Sequence, residues 1–127
     1  MNEKQFRQAI HRRLPKTIHR QSMTFGALSM NGTPDDYLDG SRRDLWIESK
    51  MLRAVPRSGI VVGDYTPLQL RWAQRRWRAG KNVVGFVGLP HKFVAIQRPN
   101  EWECGTHIQD IVTFDEAALW VIEFCGP

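Results

Sequence analysis

Cysteine is scarce in this chain of 127 residues: there are two, Cys104 and Cys125, far apart in sequence. They have neither the paired spacing of a zinc site nor the density of a secreted disulfide scaffold, and they read as idle or buried thiols in a reducing compartment. Long apolar runs are also missing. Nothing approaches the roughly 18 residues of a membrane span, and the N-terminal "MNEKQFRQAIHRR" lacks the apolar stretch of a signal peptide. The expectation is a cytoplasmic protein with no membrane partner. His11, His19, His91 and His107 lack the spacing of a metal cluster, and there is no internal repeat or low-complexity segment. Negative charge is the scarcer sign, 13 Asp and Glu against 18 Lys and Arg, for a net charge of +5. The arginines gather in "HRR", "SRR" and "RWAQRRWR". This balance favours a polyanionic partner, whose phosphates release counterions when neutralised; the plain alternative is a soluble basic surface.

What is present suits one α/β domain over residues 1–127, long enough for a single layered core and too short for two. Phe6, Ala9, Ile10 and Leu14 recur at helical spacing after a possible Asn2 cap, with Pro15 closing the segment. Glu3 falls within about 60° of Phe6 on that helix, on the side that faces inward. Such an acid can also simply complement the helix dipole. Residues 16–31 give no clear pattern. Asp35 to Leu38 and Asp44 to Met51 read as strands joined by "DGSRR", an antiparallel hairpin. An irregular crossover, "MLRAVPRSGIVVGDYTP", leads to a helix capped by Thr66, opened by Pro67 and stopped at Gly80. "NVVGFVG" and "KFVAIQ" read as strands, and "TFDEAALWVIEF" as a terminal helix with a Thr113–Glu116 capping box. The order predicts a mixed sheet flanked by helices.

Alternation along "DLWIESK" puts Glu48 and Lys50 on one face and Leu45 and Ile47 on the other. If the hairpin pairs as read, Asp35 stands across from them. Two acids and a lysine then converge, an arrangement suited to metal-assisted phosphodiester hydrolysis. A hard cation such as Mg²⁺ takes one or two carboxylates plus waters and phosphate oxygens. Asp35 and Glu48 would supply the carboxylates and Ser49 a backbone carbonyl. Lys50 would orient or deprotonate the attacking water, or stabilise the phosphorus centre. A lone Glu-x-Lys is more often a solvated ion pair. Asp36, by alternation, belongs to the other face, and Asp44 reads as solvated or paired to arginine.

"GTPDDYLDG" followed by "LWIESK" resembles the PD-(D/E)XK nuclease superfamily. "YTPLQLRWAQRRWRAGKNVVGFVG" resembles the stretch after the Glu-x-Lys in its VRR-NUC branch, and the chain is similar to phage Holliday junction resolvases and small stand-alone viral members. The resemblance runs from about Glu3 to Gly88. It implies a restriction-endonuclease-like fold and a site of Asp35, Glu48 and Lys50, with Gln69 as helper and Glu3 as the acid of the first helix. It also implies a DNA endonuclease dependent on Mg²⁺ or Mn²⁺, in some members specific for a junction, nick or flap.

Arg71, Arg75 and Arg78 form a stripe at i, i+4 and i+7 beside Trp72, opposite an apolar stripe of Leu70, Ala73 and Trp77. With Arg42 and Arg43 of the hairpin turn and Arg53 and Arg57 of the crossover, they are the candidate contacts to the phosphate backbone. Cutting both strands would take a homodimer, since one chain carries one site. Two other readings use the same residues: a nucleic-acid-binding module without catalysis, and a nuclease acting on RNA.

Overall fold

The computed structural model describes residues 1–23 and 32–127. The order begins with α1 (Glu3–His11) and β1 (His19–Ser22). β2 (Asp36–Asp39), β3 (Asp44–Met51) and β4 (Ile60–Val61) follow, then α2 (Pro67–Arg78), β5 (Val83–Leu89) and β6 (Phe93–Gln97). β7 (Thr106–His107), β8 (Val112–Thr113) and α3 (Phe114–Cys125) complete the order. The main sheet runs β1-β2-β3-β5-β6-β8, and β4 pairs with β7 in a small second sheet. β3 and β5 are parallel, and the other neighbours in the main sheet are antiparallel. This is the mixed sheet flanked by helices that the order of elements predicts.

The parallel pair is the centre because the crossover through β4 and α2 covers one face while α1 and α3 cover the other. Every residue of β5 is buried, as two covered faces require. Leu45, Ile47, Val84 and Phe86 join Phe6, Ile10, Phe114 and Val121 in one apolar layer. Val83, Val87 and Leu89 join Tyr65, Ala73 and Trp102 in the other.

The helix boundaries follow their caps. Asn2 with Gln5, Thr66 with Gln69, and Thr113 with Glu116 each form a reciprocal capping box, and Pro67 occupies the first turn of α2. α1 stops at His11, short of the expected Leu14. In the unclear segment, β1 lies at His19–Ser22 as an edge strand on β2; residues 24–31 lie outside the described residues. β4, β7 and β8 are two residues each and leave no periodic trace in the sequence. The hairpin forms in the expected place, with β2 one residue later than expected at each end.

Gly32 shows how the approach to β2 is fixed. Its φ is +74°, and a Cβ there would overlap the Leu68 carbonyl and lie 2.9 Å from the Gln69 nitrogen. The backbone before Pro34 and Asp35 is therefore seated directly on the first turn of α2, an approach that only glycine permits.

Candidate active site

β2 and β3 carry two sets of acids to opposite faces of the same hairpin. Asp36 pairs with Ile47 and Tyr37 with Trp46, so Asp35 falls at the end of β2 beside Glu48 and Ser49. The Ser49 N–H donates to Asp35 Oδ2 at 3.1 Å. That bond ties the residue just before β2 to the Glu-x-Lys strand.

Glu48 is 1% exposed, and its Oε1 finds no hydrogen-bond partner among the described residues. Burial pushes its carboxyl well above the usual carboxylate range, contact with Asp35 and the Asp35 charge push it further, and Lys50 opposes them. A buried oxygen without a partner is costly unless something outside the protein satisfies it. Gly85 pairs with Glu48 across the parallel ladder. A Cβ at Gly85 would overlap the Tyr65 hydroxyl and lie 2.9 Å from Trp102 Nε1, so the glycine makes room for Tyr65 behind Glu48.

Tyr65 belongs to a closed polar network under the site. Its hydroxyl donates to Gln97 Oε1 at 2.8 Å, and Gln97 Nε2 donates to the Val61 carbonyl at 2.8 Å and to Thr106 Oγ1 at 3.1 Å. Trp102 Nε1 donates to the Gln97 carbonyl at 3.0 Å, and the Tyr65 and Trp102 rings stack at 4.0 Å. Burial, with the Glu48 charge adding to it, raises the Tyr65 hydroxyl far above its ordinary value.

Lys50 is half-buried on the Glu48 face. Glu3, at the first turn of α1, is exposed at the rim. Partial burial raises its carboxyl, Lys50 lowers it, Asp35 raises it, Arg7 lowers it and Asp64 raises it. Asp35, Glu48, Lys50 and Glu3 thus lie within electrostatic reach of one another. Asp64 joins them unannounced, from the loop before α2. Its only signal in the sequence is its place two residues before the Thr66 cap. Among the described residues no group of three or more His, Cys, Asp or Glu side chains is arranged to hold a metal ion.

Asp36 faces the other way and is fully buried. Arg7 Nε donates to Oδ2 at 2.9 Å and Arg7 Nη2 to Oδ1 at 3.1 Å, while Arg20 Nε donates to Oδ1 at 3.0 Å. His11 Nε2 lies 3.2 Å from Oδ2. Burial alone would raise this carboxyl, but the hydrogen bonds from His11 and Arg7 and their charges hold it far below the usual range. Asp36 is therefore the hub that fastens α1 to β1 and β2 rather than a bystander. Asp44 likewise has a different partner from the one expected, the Tyr37 hydroxyl at 2.9 Å.

The remaining predicted residues divide. Gln69 stands at the start of α2, where its Oε1 accepts the Thr66 N–H at 2.9 Å. That oxygen serves the helix cap, which leaves the amide NH₂ for any other partner. Arg71, Arg75 and Arg78 share an exposed face with Leu68 and Trp72, around a shallow depression of about 300 Å³. Trp72 meets Trp46 at 5.3 Å and carries the Arg76 guanidinium at 5.2 Å. Trp77, expected in the apolar stripe, is 37% exposed. Arg53 lines a groove beyond the end of β3, and Arg57 is exposed in the Pro56–Gly59 turn.

Arg42 and Arg43 are not with the carboxylates. They sit at the opposite end of the hairpin, where the Arg42 guanidinium donates to the Glu123 carbonyl and Arg43 Nε donates to the Phe124 carbonyl at 2.8 Å. The last carbonyls of a helix are unsatisfied and carry partial negative charge, which draws both arginines to the end of α3.

No helix among the described residues is long and apolar enough to cross a membrane. No protein-family model matches the chain, and no curated protein does. Its fold is similar to the solved structure of Hjc, a Holliday junction resolvase from the archaeal hyperthermophile Archaeoglobus fulgidus. The TM-score is 0.59 at 17% identity, over 91% of this chain and 98% of that one. At that identity the likeness shows the fold, which is the restriction-endonuclease-like arrangement expected from the sequence.

Proposed function

We propose that residues 1–127 form a single PD-(D/E)XK nuclease domain of VRR-NUC-like, phage type that hydrolyses phosphodiester bonds in DNA with Mg²⁺ or Mn²⁺. One observation carries the reading: a buried Glu48 carboxyl, one oxygen of which has no hydrogen-bond partner among the described residues, pressed against Asp35 on the strand face that also carries Lys50. A carboxyl pair held at such cost fits a hard divalent cation, which prefers oxygen donors and favours the ionised form of both.

Asp35 and Glu48 would hold the ion. In an extended strand the N–H and C=O of one residue leave on the same side. The Ser49 N–H reaches Asp35, so its carbonyl leaves toward the same place and can add a third oxygen. When bound, the metal lowers the pKa of a water and offsets charge on the phosphate. The chain's own residues do the rest. Lys50 orients the attacking water and stabilises charge gathering on the phosphate oxygens. Glu3 holds Lys50 in place from the rim, and the Gln69 amide, at the N-terminus of α2, is available to a phosphate or a water. Arg71, Arg75 and Arg78, with Arg53 and Arg57, neutralise the backbone on either side.

Hjc is named as a Holliday junction resolvase, which makes a four-way junction the first substrate to test. A homodimer follows if both strands are cut, and the setting is cytoplasmic. The test incubates the protein with supercoiled plasmid, linear duplex, single strands and a four-way junction, with Mg²⁺ or with EDTA, beside Lys50→Ala and Asp35→Ala. Cleavage by the wild type alone, and only with the metal, is the expected result. Binding of every substrate without cleavage would turn the reading to a non-catalytic module on the same fold, and cleavage of RNA alone would change its substrate.

A further inference from the structure

Directly beyond Lys50, where β3 and β5 end, lies an open groove of about 590 Å³. Its floor is apolar, with Met51, Leu52 and Phe114, and its rim is cationic, with Arg53, His91 and Lys92. Among the described residues no acidic side chain lines it. The volume falls within the range of about 300–1,000 Å³ usual for ligand pockets.

The rim is built in an unusual way. β5 and β6 are joined by Pro90, His91 and Lys92, between Leu89 and Phe93, which pair. His91 has φ +66° and Lys92 φ +64°, the only positive-φ residues other than glycine among those described. Tight hairpins that need left-handed backbone normally use glycine or asparagine there. A histidine and a lysine in these positions cost stability, and strain of this kind gathers where a side chain serves a site. Here the strained tip presents an imidazole and a primary amine to the groove, opposite Arg53.

We propose that this groove seats one unpaired nucleotide of the substrate strand, next to the phosphate held at the carboxylates. This rests on the nuclease reading above. The base lies on Met51 and Leu52, and its phosphate sits between Arg53 and the His91–Lys92 tip. An apolar floor accepts any base face and so selects for an unstacked base rather than a sequence. A base still paired in a duplex cannot lay its face on a recessed floor, so the groove selects for strands that are open beside the cut.

The test measures binding in EDTA, so that cleavage plays no part, to a fluorescent duplex carrying a short single-stranded flap and to the same duplex without it. Wild type should prefer the flap duplex. His91→Asn/Lys92→Gly relieves the backbone strain, so it should melt higher than wild type and yet lose most of the flap preference. Arg53→Gln should lower the slope of log K against log salt by about one, as the loss of one phosphate contact does. If the double variant melts higher and keeps the full preference, the groove does not hold a nucleotide. If it instead changes the oligomeric state on a sizing column, the groove belongs to a second copy of the chain and the proposal fails. Cleavage with Mg²⁺ is measured separately. Its absence in wild type overturns the nuclease reading, whereas wild type that cleaves but binds both duplexes equally overturns only the groove.

Discussion

Asp35 and Asp36 are adjacent in sequence and opposite in circumstance. Asp36 is fully buried, yet Arg7, Arg20 and His11 satisfy it, and its carboxyl is held far below its ordinary value. Asp35 turns to the other face and meets Glu48, whose carboxyl is raised and whose Oε1 has no hydrogen-bond partner among the described residues. The first cluster gathers two arginines and a histidine around one acid; the second crowds acids around one lysine. A satisfied buried charge holds a structure together, and an unsatisfied one stores a demand that a ligand can meet. Counting partners thus tells the side of the hairpin that stabilises the fold from the side proposed to act.

The comparison breaks most visibly through activity. Lys50→Ala and Glu48→Gln should each lower the cleavage rate by about 10²–10⁴-fold, the range for losing a positioned acid–base or electrostatic group, with the circular dichroism spectrum unchanged. Asp36→Ala should act on the other quantity. Removing one partner of a buried ion pair costs about 3–5 kcal/mol. The Arg20 side chain is 35% exposed and can turn to water, which favours the low end, about 3 kcal/mol. Urea unfolding reads this directly. Equal losses of stability in Asp36→Ala and Glu48→Gln would abolish the distinction.

The two clusters should also separate by pH in metal-free protein. Glu48 has a folded pKa above its ordinary value of 4.5, so the folded state keeps a proton that the unfolded chain has lost. Stability therefore falls as pH rises above about 4.5. Asp36 has a folded pKa below its ordinary value of 3.8, so its contribution is complete above that value and is lost as pH falls below it. The windows do not overlap. Glu48→Gln should flatten the alkaline decline and raise stability at neutral pH by at least about 1.4 kcal/mol, the worth of a single pKa unit. Mg²⁺ should restore stability to wild type increasingly as pH rises, because it binds the ionised pair. A decline of equal slope in Glu48→Gln, followed by thermal melts from pH 5 to 9, would show that another group causes it.

Much of this was legible in the sequence, for physical reasons. Strand alternation alone separates Glu48 and Lys50 from Ile47, and Asp35 from Asp36, because period two is a property of any pleated strand. The caps at Asn2, Thr66 and Thr113 are local hydrogen bonds between residues three apart, so they survive without tertiary knowledge. What was not legible depends on distant parts of the chain. Arg7 and His11 share a helix face, but only the docking of α1 on β2 reveals Asp36 between them. The place of Tyr65 behind Glu48 depends on Gly85, twenty residues later, having no side chain. The left-handed backbone at His91 and Lys92 contradicts local preference, so a reading built on preference passes over it.

The smallest effect tests the far end of the same hairpin. Arg42 and Arg43 were expected among the phosphate contacts, and a basic turn beside two acids is a fair reason to expect it. In the fold they bind the last carbonyls of α3, and the Arg43 guanidinium also lies 4.6 Å from the centre of the Phe124 ring. A cation at a helix C-terminus contributes about 0.3–1 kcal/mol. Arg42→Ala should therefore lower stability by about 0.5 kcal/mol, with the salt dependence of DNA binding unchanged. Arg71→Ala, on the exposed stripe of α2, should do the reverse, leaving stability alone and lowering the salt slope by about one. If Arg42→Ala lowers the slope as much as Arg71→Ala, the helix end and the phosphates compete for the same guanidinium, and the hairpin is not divided into a structural end and an active one.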